Sequence, residues 1–109
     1  MTAQEFFDRT AKHLLTQREC SCLGDDCLYR GPRGLKCVIG FWIPDERYHP
    51  SLEGRMLDLE ILDLAGVPHE LYQLAIDLQE MHDKKDSTRW RWHLRLLAAK
   101  YKLKEDVLL

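Results

Sequence analysis

Cys27-Leu28-Tyr29-Arg30-Gly31-Pro32-Arg33-Gly34-Leu35-Lys36-Cys37-Val38-Ile39-Gly40, running on through Ile43-Pro44-Asp45-Glu46-Arg47-Tyr48 to Glu53-Gly54, decides how this chain folds. Two cysteines, four glycines and three prolines fall between residues 27 and 54. Glycine opens left-handed conformations, and proline fixes φ while removing a donor, so the backbone here is tightly prescribed. Residues 27–30 and 35–38 flank the connection Gly31-Pro32-Arg33-Gly34, a pattern that predicts a β-hairpin. Residues 38–43 are continuously apolar, and a short helix beginning at Cys37 is the alternative, because an unbroken apolar run carries no period. No nucleotide, metal or hydrolase fingerprint lies within the stretch.

Helical periodicity dominates on both sides of it. Thr2 and Glu5 match a capping box, and Phe7, Ala11, Leu14 and Leu15, with Phe6 beside them, build one apolar face of a helix over about 3–18. Gly24-Asp25-Asp26 is turn chemistry. Beyond the stretch, Pro44-Asp45-Glu46-Arg47 suits a single helical turn ending near Tyr48, and His49-Pro50-Ser51 forces an extended step. From Met56, the set Leu57, Ile61, Leu64 and Ala65 fits a short helix stopped by Gly66 and Pro68, although Leu57, Leu59 and Ile61 also alternate as in a strand. Pro68 opens the next helix, with the stripe Leu71, Leu74, Ala75, Leu78 and Met81. Residues 82–87 break it, and Ser87 is the expected cap of a last helix carrying Trp90, Leu94, Leu97, Ala98 and Tyr101, packed antiparallel to its predecessor. The expected fold is α+β and mainly helical, three to four helices around a small hairpin, as a single domain over residues 1–109.

An apolar fraction of 45% and a charged fraction of 31% are those of a globular protein, and no apolar run approaches the ~20 residues a bilayer requires. The start Met1-Thr2-Ala3-Gln4-Glu5-Phe6-Phe7 lacks the basic and apolar blocks of a secretory signal, which makes the cytoplasm the expected location. The net charge of −2 hides a strong segregation. Residues 42–83 hold two Lys/Arg and ten Asp/Glu, whereas residues 84–104 hold eight and one. Acidic and basic helices then neutralise each other within the monomer or a homodimer, or the basic segment is a docking surface.

Four cysteines, at 20, 22, 27 and 37, invite a zinc reading, but their spacing does not repeat the paired knuckles of zinc ribbons or fingers. No metal and no cofactor is expected, and free thiols fit a cytoplasmic chain. Cys37, at a junction where a helix dipole would stabilise a thiolate, is a candidate nucleophile, with His82 and Asp83 as base and orienting acid. Arg30, Arg33 and Lys36 around a Gly-rich turn are candidates for a phosphate-bearing ligand. Arg89-Trp90-Arg91-Trp92-His93-Leu94-Arg95 interleaves cations and aromatics. Helical geometry turns Trp90 inward and Trp92 outward, so Arg91, Trp92 and Arg95, together with Tyr29, are the candidate partner interface. Overall acidity argues against general DNA affinity.

The pattern Cys-x-Tyr-Arg-Gly-Pro-x-Gly-x-Lys-Cys-x-x-Gly-x-x-Ile-Pro-Asp-Glu-x-Tyr, with Glu53-Gly54, Leu78-Gln79, His82-Asp83 and a Trp-containing last helix, resembles a family of small phage and prophage proteins. It runs from about Leu14 to Leu103. Cys20 and Cys22 fall outside it, which further weakens a four-cysteine metal site. The resemblance implies no reaction. It implies a small phage-encoded, non-enzymatic protein that binds a host factor or defence protein, as an inhibitor or anti-defence factor, through the 29–53 segment and the basic helix. The alternative is a nucleotide or small-molecule binder, or a Cys/His hydrolase centred on Cys37.

Overall fold

Residues 1–109, all of them described by a computed structural model, form five α-helices and one two-stranded hairpin. Helix α1 (Ala3–Gln17) starts where Thr2 Oγ1 accepts the Glu5 N–H at 3.1 Å. It ends at Arg18, left-handed at φ 64°, whose N–H returns to Leu14 O. Its buried face is Phe6, Phe7, Thr10, Ala11 and Leu14.

The hairpin lies upstream of the place the Gly-Pro-x-Gly turn predicts. Strands β1 (Cys22–Leu23) and β2 (Asp26–Cys27) pair antiparallel around Gly24-Asp25. Gly24 has φ 63° and Asp25 keeps a negative φ, the pattern a two-residue type II′ turn requires. Over residues 27–38 only one isolated bridge forms, Arg30 with Lys36. Two causes prevent a ladder there. Arg33 and Gly34 both take left-handed angles, φ 58° and 76°, and wind Pro32–Gly34 into a tight 3₁₀ turn. The Tyr29 and Arg30 N–H groups are taken by the Glu53 carboxylate at 2.8 and 3.1 Å.

The chain then enters α2 (Val38–Trp42), so the helical alternative for the apolar run is the one adopted. Cys37 Sγ caps it by accepting the Gly40 N–H at 3.3 Å. A 3₁₀ turn at Asp45–Arg47 follows Pro44, and His49 is extended before a further turn at Pro50–Leu52. Helix α3 (Leu59–Ala65) is capped by Asp58, which accepts the Ile61 N–H at 2.9 Å, and stops at left-handed Gly66.

After Pro68 and a 3₁₀ turn at His69–Leu71 comes α4 (Tyr72–Lys84). Asp86, and not Ser87, caps the turn into α5 (Trp90–Lys100), because its carboxylate reaches the Thr88 N–H at 2.9 Å. Asp77 in the middle of α4 binds Lys100 and Tyr101 at the far end of α5, while Lys85 O, just past α4, receives Trp90 Nε1 from the start of α5, which makes the pair antiparallel. Burial works against ionisation of Asp77, yet the bonds from Lys100, Tyr101 and Gln73 hold its carboxyl below the usual range.

One core of 24 buried residues joins every helix and fills around Trp90, Phe6, Phe7 and Leu94. The last turn, Asp106–Leu108, folds back against α1 and returns Leu108 to this core. The fold is α+β and mainly helical, and α2 is the helix beyond the four that periodicity marks. No helix is long and apolar enough to cross a membrane.

Candidate functional site

The signature residues converge, but on each other. Glu53 accepts the Tyr29 and Arg30 N–H groups and also the Tyr48 hydroxyl at 2.7 Å. The Arg30 guanidinium lies 4.5 Å over the Tyr48 ring, donates to Ile43 O at 2.7 Å and pairs with Asp45 at 2.8 Å. Tyr29 is buried, and its hydroxyl donates to Arg55 O at 2.7 Å. Gly40 presses against the carbonyl of Tyr29 so closely that a Cβ there would lie 1.8 Å from the oxygen. Tyr29, Arg30, Gly40, Asp45, Tyr48 and Glu53 thus tie one backbone knot, and Tyr29 presents no ring to a partner.

Arg30, Arg33 and Lys36 do not gather around one point. Arg33, at positive φ, swings out to Glu19 at 2.8 Å. Lys36 is clamped to α1 through its backbone: its N–H meets Gln17 Oε1, and its carbonyl receives Gln17 Nε2 and His13 Nε2, all at 2.9 Å. What Arg33 does join is a cavity of about 610 Å³ with Arg9, Lys12 and His13 of α1, Leu35 and Phe41. No carboxylate lines it. The His13 ring stacks on Phe41 at 4.4 Å, and Arg9 lies 4.5 Å over Trp42. Arg9, Lys12 and His13 carry no signal in the sequence, because the wall opposite them arrives from residues 33–41.

Burial holds the His13 imidazole below its ordinary pKa of 6.5, with Lys36 and His82 acting the same way and the bond to Lys36 O opposing. Above that value both folded and unfolded chains carry a neutral ring. Below it the unfolded chain takes the proton first, so stability falls as pH drops through the folded pKa. Urea midpoints are expected to decline from pH 7.5 to 5.0, and His13→Gln, which keeps a side-chain donor, to flatten part of that slope.

Cys37 is 1% exposed. Burial pushes its thiol up to about 12, against the opposing bond from the Gly40 N–H, so a thiolate nucleophile is disfavoured there. His82 is equally buried, and both its ring nitrogens are engaged: Nε2 accepts the Ser21 N–H at 2.9 Å and Nδ1 meets Asp83 at 2.7 Å. That pattern fixes the tautomer with the proton on Nδ1 and leaves no lone pair to act as a base for Cys37. Cys37, Tyr29, Leu57, Gln79 and Asp83 line a cleft of about 270 Å³. Its Gln79 amide is spent on the Ile39 N–H and on Asp83.

The remaining sequence candidates lie on α5. Trp90, Leu94 and Ala98 form its buried stripe, and Trp92, Arg95, Leu96 and Ala99 form the opposite one, exposed throughout. Trp92 is 55% and Leu96 51% exposed. Arg91 is partly spent, since Nη1 donates to Leu108 O. Of the eight cations between residues 84 and 104 only Lys100 makes an ion pair, with Asp77. Few of the segregated charges therefore pair directly inside the monomer. Leu96 also lines a groove of about 360 Å³ between α4 and α5, where Lys84, Lys85, His93 and Lys100 share the wall with Asp77 and Glu80.

No protein-family model matches the chain, and no curated protein or solved structure shows significant similarity to it.

Proposed function

We propose that the chain is a non-enzymatic protein-binding module that docks an acidic protein surface on the outer face of α5. The observation that carries this is the exposed stripe Trp92, Arg95, Leu96 and Ala99 amid cations of which only Lys100 forms an intramolecular ion pair. Trp and Arg supply most hot-spot energy at interfaces, and a desolvated apolar anchor within a ring of one charge suits an acidic surface with an apolar pocket. In the phage setting that the signature suggests, the partner is a host or defence protein, inhibited by occupancy alone. The second reading is a phosphate-bearing small molecule, favoured by the Arg9, Lys12 and Arg33 cavity with its Phe41 wall.

One experiment separates the two. A partner crosslinked from Trp92 and then purified is expected to bind in a stable 1:1 complex, and Trp92→Ala with Arg95→Glu to weaken it at least tenfold. Neither substitution should shift the melting temperature appreciably, because exposed positions cost within about 0.5 kcal/mol. Unchanged affinity in the double variant refutes the α5 reading. A melting-temperature rise with ATP that Arg9→Ala and Lys12→Ala abolish supports the cavity, and a dimer dissolved by the α5 substitutions makes a second copy the occupant.

A further inference from the structure

Cys22 and Cys27 face each other across the hairpin as directly opposed residues. The neighbouring pair, Ser21 and Leu28, is joined by Leu28 N–H to Ser21 O at 2.7 Å. Hydrogen-bonded and non-hydrogen-bonded pairs alternate along an antiparallel ladder, so Cys22 and Cys27 occupy a non-hydrogen-bonded position. There the Cα atoms approach to about 4.5 Å, inside the range of about 4.4–6.8 Å that a disulfide spans. The two sulfurs lie 2.9 Å apart, and both cysteines are free. Each is half-buried on a hairpin whose turn-flanking Leu23 is 64% exposed, so a small reagent reaches them.

We propose that Cys22 and Cys27 are a redox-active dithiol that closes reversibly to an intramolecular disulfide by exchange with a low-molecular-weight disulfide. One thiolate of the pair attacks a sulfur of the reagent, whose S–S bond breaks and releases one thiolate. The second cysteine thiolate then attacks the mixed disulfide at the protein sulfur and releases the other. The pair loses two protons and two electrons, and the reagent is reduced to two thiols. Burial raises the pKa of both thiols, Cys22 also through its contacts with Cys20 and Cys27. Exchange needs the thiolate, so its rate climbs with pH above neutrality. The consequence is local: the hairpin's Ser21 N–H is held by His82, and Cys27 lines the cleft with Tyr29, Cys37 and Asp83. Oxidation pins one wall of that cleft to the strand opposite.

The test is a titration of the reduced full chain in glutathione buffers of graded ratio, quenched with N-ethylmaleimide and read by intact mass and peptide mapping. With the alkylation carried out in denaturant so that buried Cys37 also reacts, two of the four cysteines are expected to escape it, mapping to a Cys22–Cys27 bridge that dithiothreitol reopens. Cys22→Ser and Cys27→Ser each abolish the bridge, and Cys20→Ser and Cys37→Ser leave it. Should a serine variant fail to fold, the bridge mapped in the unmodified chain still decides. Stable glutathione adducts on single cysteines, a bridge that uses Cys20, or a chain purified with one equivalent of zinc that blocks oxidation would each overturn the proposal.

Discussion

Gly40→Ala is expected to abolish cooperative folding. The added methyl would sit 1.8 Å from Tyr29 O and 2.6 Å from its carbonyl carbon, and both atoms belong to backbone that has no rotamer to change. Relief requires α2 to move away from residues 27–30. That breaks the Cys37 N–H bond to Tyr29 O at 3.2 Å and carries Tyr29 off the Glu53 carboxylate. Overpacking alone costs about 1–3 kcal/mol, and with these bonds lost the total rises past about 4 kcal/mol. A domain near the lower end of the usual range of about 5–15 kcal/mol has little left after that. Gly24→Ala is the control: its φ of 63° is strained for alanine, but nothing lies within 4 Å, and the left-handed penalty is about 1–2 kcal/mol. Urea melts followed by circular dichroism check both. A wild-type midpoint for Gly40→Ala would show that α2 does not rest on the Tyr29 carbonyl.

Glu53→Ala ranks next. One carboxylate satisfies two backbone N–H groups and the Tyr48 hydroxyl, all partly buried. Hydrogen bonds to a charged acceptor are the stronger kind, and a buried donor left unpaired costs about 1–3 kcal/mol. The expected loss is about 3–4 kcal/mol, less than three full penalties because the loop relaxes and the Tyr48 hydroxyl turns to water. Tyr48→Phe, which deletes one donor and leaves no orphan at the backbone, should cost about 1 kcal/mol. If Glu53→Ala cost no more than Tyr48→Phe, the backbone bonds would be irrelevant to stability and the knot would have to be sought elsewhere.

Periodic features of the sequence carried over to the structure. The stripe of α4 and the inward Trp90 and outward Trp92 follow from angular position alone, since residues two apart on a helix face nearly opposite ways. The Gly-Pro-x-Gly turn was misleading for a physical reason. It looks like a hairpin connection, yet the acceptor that claims the adjacent N–H groups is Glu53, more than twenty residues on. No local pattern announces a partner at that distance. The basic trio failed similarly: Arg30, Arg33 and Lys36 are close in sequence, and the positive φ of Arg33 sends its side chain away from that of Arg30. The cysteine pair was half legible, with Gly24-Asp25 marking the turn while the register that opposes Cys22 to Cys27 emerges only from pairing.

The knot tied by Tyr29, Arg30, Gly40, Tyr48 and Glu53 has a consequence for how such a chain can evolve. It uses no residue of the outer face of α5. Substitutions at Trp92, Arg95, Leu96 and Ala99 therefore leave the scaffold alone, and, on the docking role proposed for that face, drift there would retarget the molecule without refolding it. Lineages that keep the 27–54 signature would inherit one rigid handle and be free to grind a different key on the far helix.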